Sequence, residues 1–278
     1  MRPSRMISNA CRIAGVAACA ALTLASAVST GRADDARPAA GISDNSFLIE
    51  EAYNQEAGVV QHIVTLARQS GSWLAAYTDE WPVVSQTHQF SYTVPYAWLA
   101  AGGDDGIGDI MLNYRYQALM ETDALPAFSP RVSLILPTGD EARGLGNGST
   151  GYQFNLPISK IVSDRVTLHG NAGLTSFFDM SGRQPVSFFA GGSIIYAATR
   201  DFNLMLEALH NWDETVGDGG AIARETSLTL APGIRTAFNA PEGQLVLGIA
   251  SPITLTDGQR DYGIFLYGSF EHSFLAAK

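Results

Sequence analysis

From Gly58 onward, apolar and polar residues alternate over stretches of eight to thirteen positions, and glycine, proline, asparagine and aspartate collect between the stretches. The clearest case is Asp109 to Ala118. There Ile110, Leu112, Tyr114, Tyr116 and Ala118 fall on one face and Asp109, Asn113, Arg115 and Gln117 on the other, with Met111 the one apolar residue on the polar side. Side chains along a strand point alternately to opposite faces, so this period of two predicts a strand with one apolar and one polar side. Tyr152, Phe154, Leu156 and Ile158 against Gln153, Asn155 and Ser159 repeat the pattern, as do Val166, Leu168, Ala172 and Leu174 against Thr167, His169, Asn171 and Thr175. Val186 to Tyr196 fits less cleanly, with apolar residues on both faces. The pattern predicts about twelve strands, at 59-68, 72-78, 86-96, 107-118, 128-136, 150-160, 165-178, 185-198, 201-211, 224-237, 243-252 and 261-273.

Connections carry a second signal. Those around Val162, Arg200 and Pro241 are short, whereas Pro137 to Ser149, Asp179 to Gln184, Trp212 to Ala223 and Ile253 to Arg260 are longer, and the two kinds alternate. Alternation of short periplasmic turns with longer external loops belongs to barrels of the outer membrane. The strands are near the length that crosses a bilayer at a tilt. Trp73, Tyr77, Tyr96, Trp98, Tyr116, Tyr152, Tyr196, Trp212 and Tyr262 lie toward strand ends, where interfacial girdles sit. A soluble β-sandwich also alternates, but a sheet in lipid must close on itself to pair its edges. The expected fold is therefore all-β: a closed antiparallel up-and-down transmembrane β-barrel over residues 58-278.

Residues 1-33 read as a secretory signal peptide. Arg2, Arg5 and Arg12 precede the apolar run Ile13 to Val28, no acidic residue occurs, and a small-residue exit suits cleavage after Ala33. The run is too short to span a membrane as a helix. Both cysteines, Cys11 and Cys19, fall inside it, so the exported chain forms no disulfide. Residues 34-57 precede the first strand and are expected either to fill part of the lumen as a plug or to extend into the periplasm. The expected location is the outer membrane of a Gram-negative cell.

The chain has a formal net charge of -10, and loss of Arg2, Arg5, Arg12 and Arg32 with the signal peptide makes it more acidic. Lys160 and Lys278 are its only lysines. Nucleic acid is thereby excluded as a partner, since phosphate recognition needs clustered basic residues. Gly144 to Gly148 does not open a helix, so it reads as a loop tip and not as a phosphate loop. Asp104, Asp105 and Asp109 lack the spacing and closing glutamate of a calcium loop. His62, His88, His169, His210 and His272 lie on five different expected strands, with no pair at metal-ligand spacing. No cofactor, metal or catalytic residue is expected. A barrel hydrolase built on His169 near Asn171, or on His272 with Ser273, is the enzymatic alternative.

Ile107-Gly108-Asp109 running into an alternating strand, Leu136-Pro137-Thr138-Gly139-Asp140 before a glycine-rich loop, and Asn171-Ala172-Gly173 within a strand resemble the outer-membrane transporter family of the meta-pathway of phenol degradation. The opening Phe47 to Glu56, with Val59 to His62 and Glu80-Trp81-Pro82 to Tyr92, is similar to a subgroup of such exported proteins. The resemblance spans Phe47 to Phe274 and implies a barrel with a transport-like role. It supplies no catalytic residue. Leu275 to Lys278 follow Phe274, where many such barrels end on the aromatic residue.

The inward face of the expected register gives the candidate solute path: Asp109, Asn113, Arg115, Arg131, Asn155, Asn171, Glu207 and Arg235, together with Gln117 and Gln153. As a polar constriction these would select solutes by charge and hydrogen bonding; as structural groups they would cross-link a narrow interior. The expected function is passive passage of a small solute, organic or aromatic as the resemblance implies. The alternative is a non-conducting structural or surface-binding barrel. Expected partners are outer-membrane lipid, the solute and the outer-membrane assembly machinery.

Overall fold

The computed structural model describes residues 41–42, 44–217 and 219–274. The expected signal peptide and Leu275 to Lys278 lie outside them. Twelve antiparallel strands form one closed sheet, each paired with its neighbours in the chain. They are β1 (Val59–Gln69), β2 (Ser72–Val83), β3 (Ser85–Trp98), β4 (Asp105–Ile107 and Ile110–Tyr116), β5 (Ala127–Phe128 and Arg131–Leu136), and β6 (Gly151–Asn155 and Ile158–Ser163). Then follow β7 (Val166–Phe177), β8 (Val186–Thr199), β9 (Phe202–Val216), β10 (Ile222–Ala240), β11 (Gly243–Ala250 and Ile253–Thr256), and β12 (Gln259–Tyr262 and Ile264–Ser273). Closure is made by β1 against β12, in register from Val59 opposite Ser273 to Arg68 opposite Ile264.

Three of the five interrupted strands break at prolines, which have no N–H to give to the ladder. Pro130, Pro157 and Pro252 mark them, and the backbone bonds Tyr116 N to Pro130 O, Ser129 N to Pro157 O and Gly263 N to Pro252 O carry the pairing across. The wall is thus continuous at its breaks.

Pairing runs further than the polar residues suggest. β9 and β10 pair out to Val216 opposite Ile222, through Asp213, Glu214, Arg224 and Glu225, so the expected loop 212–223 is mostly hairpin. Likewise Ile253 to Tyr262 is a hairpin turning at 257–258, and β2 continues to Val83. The reason is that above the apolar band a strand meets water on both faces, and its residues lose the alternation that marks it. At the end of the barrel carrying the described chain ends, most turns are short, but 117–126 is a long one.

The faces follow the alternation. Ile110, Leu112, Tyr114 and Tyr116 point outward, while Met111, Asn113 and Arg115 are buried inside. Inside, one half of the barrel is apolar: Ile63, Phe189, Ile195, Met205, Leu209, Val246 and Phe265 form one cluster with Phe47, Leu48 and Ile49 of the N-terminal segment. The half walled by β3 to β7 is polar, with buried Gln89, Asn113, Arg115, Gln117, Arg131, Gln153, Asn155 and Asn171.

Candidate functional site in the barrel lumen

Ahead of β1, the described residues from Asp44 to Gln55 are buried inside the barrel, without pairing as a strand. Their backbone groups would be stranded there without partners, at a cost of about 1–3 kcal/mol each. Inward side chains of the wall supply them. The Glu207 carboxylate on β9 accepts three successive N–H groups, from Phe47 (2.7 Å), Leu48 (2.7 Å) and Ile49 (2.9 Å). On β7 the Asn171 amide accepts from Glu50 N (2.7 Å) and donates to Glu50 O (2.6 Å), making the pair of bonds a neighbouring strand would make. Gln117 does the same with Asn54 N and Ala52 O. Ser159 accepts from Ala52 N, Gln89 from Gln55 N, and Arg235 donates to the carbonyls of Asp44 and Asn45.

The segment therefore runs round the inside of the wall. Asp44 takes hydrogen bonds from Gln61 on β1 and from Tyr267 and Ser269 on β12. Ser46 meets Ser193 on β8, and Gln55 returns to Gln61. Phe47 fills the apolar half, 5.7 Å from the Phe265 ring and 5.9 Å from that of Tyr267. Gly233 and Gly248 leave room for it: a Cβ at either would stand 2.5 Å from its ring.

Electrostatically the centre is Glu50. Arg115 Nη2 lies 3.1 Å and Arg131 Nε 2.9 Å from Oε1, and Asn155 Nδ2 donates to Oε2. The guanidinium of Arg131 is fixed by the wall itself, through Asn113 Oδ1 (2.9 Å), Ser133 Oγ and Gln153 Oε1 (2.6 Å). Arg115 also donates to the carbonyls of Glu51 and Tyr53. Buried ion pairs of this kind hold only where hydrogen bonds satisfy the remaining donors and acceptors, as they do around Arg131.

Seven of the eight residues proposed from sequence as the solute path thus share one connected site around the segment: Asn113, Arg115, Arg131, Asn155, Asn171, Glu207 and Arg235. Asp109 does not join them. It lies at the break in β4, where Oδ1 accepts from Gly139 N (3.0 Å) and Oδ2 from Asn147 N (2.8 Å), pinning the 137–150 loop. That loop folds back rather than standing as a free tip: Leu145 is buried, and a Cβ on Gly139 would sit 2.4 Å from its carbonyl oxygen. Met111 packs on Ile135 and Phe177.

The pairs considered for hydrolysis have other partners. His169 Nδ1 is 2.7 Å from Ser159 Oγ, and Glu51 Oε2 is 3.9 Å from Nε2, beyond hydrogen-bond reach; all three are buried and Ser159 already serves Ala52. His272 points outward, 3.2 Å from His62 across the seam between β12 and β1. That contact was missed because closure makes the first and last strands neighbours. On the same outer wall Asp79 accepts from Tyr77 (2.8 Å) and Tyr92 (2.6 Å) and meets His62 Nδ1 at 2.5 Å. Among the described residues, no group of three or more His, Cys, Asp or Glu side chains could hold a metal ion.

No protein-family model and no curated protein matches the chain. Solved structures do. An outer membrane channel from Pseudomonas putida F1 superposes with a TM-score of 0.61 at 14% identity, over 81% of this chain and 98% of that one. The NanC porin gives 0.48 at 11% identity over 76% and 98%, and the KdgM porin with disordered oligogalacturonate 0.46 at 9% over 77% and 99%. The first of these likenesses establishes the architecture: the chain has the closed antiparallel barrel fold of an outer membrane channel.

Proposed function

We propose that the protein is a channel of the outer membrane through which a small solute passes passively, its lumen narrowed by its own N-terminal segment. The observation that carries this reading is that every strand finds its neighbours, β12 to β1 included, without the segment, which is held mainly by inward side chains and adds no strand to the sheet. The barrel wall is complete without it, so the segment is a removable filling. The inward polar face, with Arg115, Arg131 and Arg235, then lines the path, in keeping with lumen groups that tune selectivity. The resemblance of the sequence narrows the solute to an organic or aromatic compound, as in phenol degradation. The proposal includes export on residues 1-33, so the mature chain begins near Asp34.

Conductance in a planar bilayer tests the reading. The parent protein should conduct weakly, and Glu207→Ala, which removes the acceptor of three segment N–H groups, should conduct several times more. Baseline conductance from both, each shown to be folded, would remove the channel reading. It would leave the second one, a non-conducting structural barrel, which the burial of the segment from Asp44 to Gln55 favours. No catalytic role is proposed.

A further inference from the structure

We infer that the Arg115–Arg131–Asn155 cradle is a carboxylate-binding site on the solute path, that Glu50 is its resident occupant, and that the solutes passed are small organic acids. The inference rests on the channel reading above and adds the chemistry of what crosses.

Its basis is the difference between this contact and the others that hold the segment. Asn171, Gln117, Gln89, Ser159, Glu207 and Arg235 grip backbone atoms, and any extended peptide would satisfy them. The cradle grips a side-chain carboxylate: Arg115 and Arg131 converge on Oε1, at 3.1 and 2.9 Å, while Arg131 Nε (3.1 Å) and Asn155 donate to Oε2. Much of this receptor belongs to the wall. Asn113, Ser133 and Gln153 lie on β4, β5 and β6, so Arg131 keeps its Nε aimed into the lumen whether or not the segment is present. Of the segment's acids, Asp44 is bound by Gln61, Tyr267 and Ser269, and Glu51 faces His169, so Glu50 alone answers the paired guanidiniums. The wall acid nearby, Glu80, is bound by Gln89.

A solute passing this level has to displace Glu50. A neutral solute would leave two buried guanidiniums short of a counter-charge, whereas a carboxylate exchanges for a carboxylate with charge and hydrogen bonds conserved. The cradle therefore favours organic anions over their neutral analogues, and the same exchange loosens the segment.

Glu50→Ala in the full chain, probed with propionate and with propionamide, tests this. Propionate should raise the unfolding temperature of Glu50→Ala and leave the parent unchanged, propionamide should do neither, and adding Arg131→Gln should abolish the response. Where Glu50→Ala does not fold, the unsubstituted cradle is read instead: propionate, but not propionamide, should speed labelling of a single cysteine placed at Ser46. In liposomes, Glu50→Ala (or, where that variant does not fold, the parent) should pass propionate about tenfold faster than propionamide, one order of magnitude being about 1.4 kcal/mol. Equal effects of acid and amide, or none, overturn the carboxylate site; carboxylate binding without preferential passage overturns the solute class. If the acid binds but neither compound crosses, the channel reading falls while the site stands. If both cross equally and neither binds, the channel stands and this inference falls.

Discussion

Glu207 has no cation within its hydrogen bonds; it is a buried carboxylate satisfied by three consecutive backbone N–H groups. Hydrogen bonds to a charged group contribute about 1.5–3 kcal/mol each, so this one side chain outweighs any other single hold on the segment from Phe47 to Ile49. Its replacement by alanine should expose the segment to water without breaking a strand pair. A single cysteine at Ser46, which is buried beside Ser193, should resist a membrane-impermeant thiol reagent in the parent and react readily in Glu207→Ala. Unchanged protection would show that Phe47 and its apolar neighbours hold the segment by themselves. Asp79 poses the opposite case, a carboxylate on the outer wall. Removing it takes the shared acceptor from the Tyr77 and Tyr92 hydroxyls, while His62 keeps Tyr77 (3.1 Å) and His272 (3.2 Å); a hydrogen bond to a charged group contributes about 1.5–3 kcal/mol. Asp79→Leu should therefore lower resistance to denaturant, and the loss should shrink when Tyr77→Phe and Tyr92→Phe are added. Additive losses from the three changes would mean that the cluster has no mutual stabilisation.

Along β4 the two faces should be chemically distinct. Cysteines at Ile110, Leu112, Tyr114 and Tyr116 should label with a lipid-soluble reagent. Those at Met111, Asn113 and Arg115 should stay unlabelled by an aqueous one until Glu207→Ala frees the segment. Aqueous labelling of the outward set would place that wall in water and undo the membrane assignment. The period of two made these strands readable wherever an apolar outer face backs a polar interior. It faded where that contrast ends. In β8 the inward Phe189 and Ile195 are apolar because Phe47 to Ile49 pack beside them, so Val186 to Tyr196 looked two-sided. In β9 and β10 the pairing of Glu214 with Arg224 extends a hairpin through charged residues that resemble a loop. The inward direction of Arg115, Arg131, Glu207 and Arg235 was legible, but their partners were not, because a side chain bonded to a distant backbone leaves no periodic trace in sequence.

For the molecule as a whole, the lumen charge belongs jointly to wall and segment: Arg115 and Arg131 face Glu50, and Arg235 faces the carbonyls of Asp44 and Asn45. Replacing all three arginines by glutamine should raise conductance, by loosening the segment, and shift the reversal potential in a salt gradient toward cation preference. An unchanged reversal potential would place the ion path away from these residues. The arrangement of the segment also orders events during biogenesis. Phe47 is 160 positions from Glu207, and Asp44 is 225 from Ser269. Contacts this remote in sequence form late. The stretch synthesised ahead of every strand thus has no complete berth until β9, β10 and β12 have arrived. A barrel stalled before its last hairpins would carry its N-terminal stretch loose, whereas a finished one conceals it. Protection of that stretch from protease is accordingly a timestamp for the moment the cylinder seals.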